Sequence, residues 1–373
     1  MMKALISRTI ASSFGKKIGR KIIVIESDDW GSIRMPSKKA YDNLTKAGIN
    51  VKNCPYNTYD SLENENDIEN LINFCKKFKD KNQKPLKITA NFIMANPNFE
   101  KIKECNFTSY HYRDLIESYR YYQENDSTFK AIQKAINENI FAPQLHGREH
   151  LQANNWLSAL KYGDTETLLA FDNGVWGHPS AYEKKSGINF SSAFHVTSNK
   201  ELEFAKDSVA DASTLFQKYF GFKSETFIAP RFIWPNEMEK TFYDCGIRAL
   251  QGKIVQLKPT IGQDTKLRNI FNWMGKSNKN GLSYLIRNVF FEPTQKPNYN
   301  WEKDAIMRIE TAFFWGKPAV ISMHRLNFMG GFSEQNREIS LKRLGTVITA
   351  IQKKFPDIEF LSSNELYSLT YAE

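Results

Sequence analysis

The sequence predicts an α/β fold built on a parallel sheet. Short apolar runs rich in β-branched residues alternate with longer amphipathic segments along the chain, the pattern of repeated β-α units. The runs are unbroken rather than alternating, as expected where helices cover both faces of a sheet. Four of the runs also deliver charged or imidazole residues at their C-terminal ends, the face on which parallel barrels carry their active sites.

In chain order, strands are expected at 21–27 (KIIVIES), 87–94 (KITANFIM), 140–145 (IFAPQL), 191–196 (SSAFHV), 226–230 (TFIAP), 247–250 (IRAL), 318–323 (PAVISM) and 358–362 (IEFLS). Between them, a helix over 67–79 places Ile68, Leu71, Ile72, Cys75 and Phe78 at helical spacing. Segments 200–219 and 333–354 are longer and clearly periodic. Ser333-Glu334 reads as a helix start, and Pro235 in WPNEME lies near another N-terminus. The stretches 95–110, 172–190 and 252–300 are irregular and rich in Asn, Gly and Pro, so long loops are expected there. No repeat or linker divides the chain, and one domain spanning 1–373 is expected.

Composition excludes several classes. No apolar run of about 18 residues is present, so no transmembrane helix is expected. Net charge is +10, but the lysines are scattered over helices, as in CKKFKDKNQK, without the clustered stacking aromatics of a nucleic-acid module. A basic face suits a phosphate-bearing or acidic glycan. The four cysteines show no C-x-x-C spacing, which points to free thiols. The N-terminus is basic but lacks a continuous apolar region and a cleavage site, so a cytoplasmic location is expected. A helix there, with Leu5, Ile6, Ile10 and Phe14 to one side, closes one end of the domain; peripheral contact with an anionic membrane is the alternative.

The polar strand ends carry the functional signal. KIIVIES runs into Asp28-Asp29-Trp30-Gly31, IFAPQL into His146-Gly147-Arg148-Glu149-His150, TFIAP into Arg231, and PAVISM into His324-Arg325. Singly, each has an ordinary explanation: a capped turn, a packed imidazole, a strand-end ion pair. Together, one Asp and two His make a facial ligand set that leaves positions open for water on a divalent ion. The second Asp, an Arg and a third His are what hydrolysis then needs. Glu149 does not make a zinc-protease motif, because Gly147 follows the first His.

These motifs resemble those of the polysaccharide deacetylases, the NodB-homology carbohydrate esterases. IESDDWG matches the Asp-Asp motif, HGREH the two-His motif, APRFIWP the Arg-containing motif and SMH the Leu-x-His motif. Departures are Trp30 in the usual Gly place, Gly147 in place of a hydroxyl residue, RFIWP in place of Arg-x-Pro-aromatic, and Ser322 in place of the pocket Leu. The fourth motif, which orients the catalytic His, has only stand-ins: Asn272-Trp273 in FNWMG, and Arg287 and Glu292 in RNVFFEP.

The resemblance implies a distorted TIM-like barrel of seven or eight β/α units, with insertions at roughly 30–86, 95–140 and 252–300. It implies a metal-dependent hydrolase that removes an N- or O-linked acetyl group from a sugar in a polysaccharide or glycan precursor. Asp29, His146 and His150 would hold one divalent ion, zinc by default, with cobalt, nickel or manganese as alternatives. Asp28 would be the general base, Arg231 its partner, and His324 the general acid. Trp30, Trp234 and His178 are expected at the substrate, with Trp176 and Tyr182 as further stacking rings. His111 and His195 are expected to be structural. Two alternatives stay open: release of a formyl or other acyl group or opening of a cyclic amide on the same barrel, and an inactive barrel that binds a glycan or a partner protein.

Overall fold

The computed structural model describes residues 9, 13–262 and 265–371. Its strands are β1 (Ile22–Trp30), β2 (Ile88–Ile93), β3 (Ala95–Pro97), β4 (Tyr112–Asp114), β5 (Phe141–Gly147), β6 (Thr226–Ile228), β7 (Ala249–Gly252), β8 (Val255–Lys258), β9 (Arg268–Phe271), β10 (Ser283–Ile286), β11 (Val289–Phe290), β12 (Ala319–His324) and β13 (Glu359–Leu361). The main sheet is parallel and curled, in the order β10-β7-β6-β5-β2-β1-β12-β11, with β13 added to β1. β3 pairs with β4, and β8 with β9, as small antiparallel sheets.

The main sheet is a TIM-like barrel left open. No ladder joins its end strands β10 and β11 among the described residues. They are consecutive in the chain, and the changeover falls at two residues. Arg287 N donates to Gly252 O at the end of β7, and Asn288 N donates to Val320 O in β12. Segment 283–290 therefore leaves one wall and joins the other, which carries the Arg287 side chain into the barrel.

All nine residues of β1 are buried, which is why it reads as an unbroken run. The expected strand at 247–250 appears shifted, as β7, and the one at 358–362 appears shortened, as β13. Residues 191–196 do not form a strand. Their backbone is taken up in turns, with Ser192 N donating to Asn189 O and His195 N to Ser192 O, while Phe194 and Val196 are buried. Nor is 252–300 a plain loop, since it contains β8 to β11.

The helices follow their sequence signals closely. Glu65–Cys75 starts on a capping box between Asn64 and Asp67, and Asn199–Phe220 on one between Ser198 and Glu201. Glu334–Lys354 is capped by Ser333. Segments expected as insertions also fold into helices, among them Lys38–Lys46, Leu115–Gln123 and Ser127–Asn137. Of the N-terminal apolar side, Leu5, Ile6 and Ile10 lie outside the described residues, and Phe14 is exposed. No helix of the described residues is long and apolar enough to cross a membrane.

Candidate metal centre and acid–base cleft

In a regular strand Asp28 and Asp29 would face opposite sides of the sheet. β1 avoids this with a register shift between Ser27 and Trp30 and a left-handed backbone at Asp29, φ 75°. Asp tolerates that region better than most residues. Both carboxylates thereby reach one cleft of about 430 Å³, the size of a small-molecule site. Gly31 continues the turn at φ 78°, where a Cβ would lie 2.5 Å from Ile93 O; only glycine fits. The turn is anchored by Asn96, whose Oδ1 accepts from Ile33 N at 2.8 Å and whose Nδ2 donates to Gly31 O at 2.8 Å. Arg325 bonds to Ser32 O, Asp60 and Glu63 beneath it.

β5 ends in the same cleft. Gly147 at φ 127° breaks the strand after His146, and the chain returns to present His150. Arg148 and Glu149 face away and pair with each other, and Arg148 also reaches Asp211 at 2.7 Å. The ligand atoms of Asp29, His146 and His150 all lie within 4.8 Å of one another. His146 Nε2 is 3.3 Å, and His150 Nε2 3.5 Å, from Asp29 Oδ1.

These residues fit a cation. His146 Nδ1 lies 2.8 Å from Ile228 O; a carbonyl only accepts, so Nδ1 carries the proton and Nε2 turns a lone pair toward Asp29. Neither oxygen of the buried Asp29 carboxylate has a hydrogen-bond donor. Lone pairs facing an unsatisfied buried carboxylate are unfavourable until a positive ion lies between them. Burial lowers the His150 pKa well below its ordinary value despite the pull of Asp29, so the ring is neutral, as a ligand must be. Asp29 is held well below the usual carboxylate range against the effect of burial, with the Arg34 guanidinium among the charges that lower it.

Asp28 stands beside this group, and its partner is not Arg231. Arg287 Nη1 donates to Asp28 Oδ2 at 2.6 Å and Nη2 to Oδ1 at 2.7 Å. Its Nε bonds to Glu26, and Asn91 Nδ2 adds a bond to Asp28 Oδ1 at 2.8 Å. Burial favours the neutral acid, but Arg287 outweighs it and keeps Asp28 below its ordinary pKa. Arg231 makes no ion pair with Asp28: its Nη1 is 3.4 Å from Ser191 Oγ, and it lines the cleft as an exposed side chain. The APRFIWP motif therefore supplies a cleft residue, and the arginine that holds the acid comes from segment 283–290.

His324 is the strand neighbour of Asp28, since the two are paired in the β1–β12 register. Glu292 Oε1 lies 2.5 Å from His324 Nδ1, and Asn327 Nδ2 donates to Glu292 Oε2 at 2.8 Å. Burial alone would lower the His324 pKa; Glu292 overrides it, with Asp29 and Asp28 adding, and raises it to about 9. Nδ1–H is committed to Glu292, so Nε2–H is the proton available to the cleft.

The expected aromatic contacts are placed differently. Trp30 is fully buried below the bulge, 4.9 Å from the Phe141 ring, with Nε1 donating to Ser27 Oγ at 3.0 Å. It packs in the hydrophobic core and is not among the residues that line the cleft. Trp234 is also buried in the core, its backbone N bonded to Leu257 O. His178 is buried behind the cleft wall formed by its neighbours Gly177 and Pro179. Its charged surroundings are Glu166, Lys184 and Asp164. Trp176 stacks on His150 at 6.1 Å and carries Arg34 on its face at 4.4 Å. Tyr182 packs on Tyr162 at 5.6 Å. The rings that line the cleft are Tyr56, in a segment that no motif marks, and Phe232, which follows Arg231 in the APRFIWP motif. Arg34 and Lys253, also in the lining, follow from neither motif nor periodicity. His195 Nε2 bonds Thr265 O at 3.0 Å, a structural contact. The four cysteines are free.

No protein-family model matches the chain, and no curated protein sequence matches it. Similar solved structures include polysaccharide deacetylases. A Mycobacterium smegmatis protein named as one is 10% identical, with 97% of this chain and 94% of that chain covered and a TM-score of 0.43. One from Pseudomonas aeruginosa PAO1 is 8% identical, with coverage of 95% and 92% and a TM-score of 0.45. A 4-alpha-glucanotransferase from Thermococcus litoralis is 9% identical at a TM-score of 0.46; it matches 94% of this chain, which spans 40% of its length.

Proposed function

We propose that this chain is a metal-dependent hydrolase that removes an acyl group, acetyl first of all, from a sugar. The observation that carries the reading is one cleft holding the Asp29–His146–His150 group, an ionised Asp28 and a protonated His324. Asp29, His146 and His150 would hold the ion, with zinc as the first candidate for one carboxylate and two imidazoles. When bound, such an ion polarises an acyl carbonyl and acidifies water.

The remaining chemistry belongs to the side chains. An ionised carboxylate offers about four lone-pair sites. Asp28 uses three, for Asn91 Nδ2 and the two Arg287 nitrogens. The fourth, on Oδ2, is left to accept the proton of the attacking water. Arg287 fixes the orientation of that oxygen and keeps it charged. His324, held through Nδ1 by Glu292, directs Nε2–H to the leaving nitrogen or oxygen. An amine leaves poorly until protonated, so a proton donor at this position suits an amide. Tyr56 and Phe232 give the cleft ring faces for a sugar.

The test compares acetate release from N-acetylated and O-acetylated sugars, neutral and anionic, with formate release from the corresponding N-formyl sugars, by the metal-loaded protein. The expected result is acetate release that Asp28→Asn lowers by about 10²- to 10⁴-fold. Hydrolysis left intact by Asp28→Asn would remove the general-base role, and formate release alone would transfer the site to a deformylase.

A further inference from the structure

Apart from the acids already engaged, the cleft is lined by positive charge. Asp28 is neutralised by Arg287, and Asp29 faces the two imidazoles. The remaining carboxylate of the lining, Glu183, accepts from Asn189 Nδ2 at 2.9 Å and Phe190 N at 2.8 Å. Arg231 and Lys253 line the same cleft, and among the described residues neither has a carboxylate within ion-pair distance. Burial and the charge of Arg287 oppose the charge on Lys253, Asp28 and Glu292 favour it, and Arg231 opposes it. Lys253 Nζ lies 4.4 Å from the centre of the Phe232 ring. Residues Arg231 and Phe232 hold left-handed backbone, φ 57° and 60°, a strained arrangement of the kind found at ligand clamps.

Arg34 adds an independent sign. It is 8% exposed, lines the cleft, and its buried Nε has no hydrogen-bond partner. Trp176 at 4.4 Å and Tyr56 at 5.3 Å hold the guanidinium in place. Its nearest acid, Asp29 Oδ2, is 3.9 Å away and is the carboxylate expected to hold the ion. Like charges gathered around one cavity repel unless an anion joins them.

We propose that the acyl sugar taken by this cleft is anionic, with a carboxylate or phosphate oxygen group held between Arg231 and Lys253. This deepens the acyl-hydrolase reading and rests on it. The anion is the handle that orients the sugar, and Arg34 supplies positive potential on the Tyr56 side. A neutral sugar would leave Arg231 and Lys253 without an ion-pair partner.

Calorimetric titration of the metal-stripped protein tests this without any hydrolysis. The probes are inorganic phosphate, glucuronate and glucose at low salt, on wild type, Lys253→Met and Arg231→Met. Both side chains are exposed, and an unchanged melting temperature confirms that the variants fold. Wild type is expected to bind at least one anion more tightly than glucose, with about a tenfold or greater loss in at least one variant. Tighter phosphate indicates a phosphorylated sugar, and tighter glucuronate a uronate. Binding of glucose as tight as that of the anions, no anion binding, or equal anion affinity in all three proteins overturns the proposal. Anion binding without any acyl release would instead remove the hydrolase reading and leave the anion site standing.

Discussion

Arg287 holds Asp28 by both oxygens, at 2.6 Å and 2.7 Å, while its Nε bonds to Glu26. One guanidinium thus serves two buried carboxylates at the point where the chain passes from β10 to β11. Removing one partner from a buried ionic group destabilises by about 3–5 kcal/mol. Arg287→Met is expected to lose that amount in urea unfolding, together with the activity. Arg287→Lys should recover part of the stability and little of the activity, because an ammonium cannot reproduce the two-pronged contact. A variant with unchanged stability would show that the pairing is unimportant.

His324 makes the ion-free protein pH-sensitive in a definite direction. Its pKa is raised from an ordinary 6.5 to about 9 in the folded chain. A raised pKa means that the stabilisation is fully present below about 6.5 and is lost as pH climbs through about 9. The unfolding free energy of the EDTA-treated wild type should therefore fall between pH 6.5 and 9 by more than that of His324→Gln. Parallel profiles would contradict the Glu292 pairing.

The same residue predicts a substrate-dependent defect. His324→Gln should slow release from an N-acetyl sugar by about 10²- to 10⁴-fold. It should slow p-nitrophenyl acetate far less, since p-nitrophenolate leaves without a proton. Equal losses on both substrates would mean that His324 acts through something other than protonation of the leaving group.

Trp30 separates core from cleft. Trp30→Ala should destabilise by about 3–5 kcal/mol, as for other buried large-to-small changes. Below its melting temperature it should keep the wild-type KM. A raised KM with little loss of stability would place the ring at the substrate after all.

Much of this was legible in the sequence, for reasons that differ by element. β1, β2, β5 and β12 are buried runs, and the long helices carry their own caps, so pattern and boundary signals agree. The convergence of Asp29, His146 and His150 follows from their shared position at strand C-termini, which a parallel sheet gathers on one face. Segment 191–196 misled because Phe194 and Val196 are apolar for packing, not for pairing. The strands of 283–290 were hidden by their shortness: four and two residues with Arg287 and Asn288 between them. That obscured the true partner of Asp28, although RNVFFEP already stood out as a stand-in for the motif that orients the histidine. Trp30, Trp234 and His178 illustrate a different limit. Composition names rings, but the bulge after Ser27 and the packing of the loops decide whether a ring faces the cleft or the core.

The most direct test is the ion itself. The chain would be saturated with Zn²⁺, desalted, and its metal content measured for wild type and for an Asp29→Ala/His146→Ala double variant. One equivalent in the wild type and none in the variant is the expected result. A wild type that retains no ion, or a double variant that still retains one, would contradict the assignment of Asp29, His146 and His150 as its ligands.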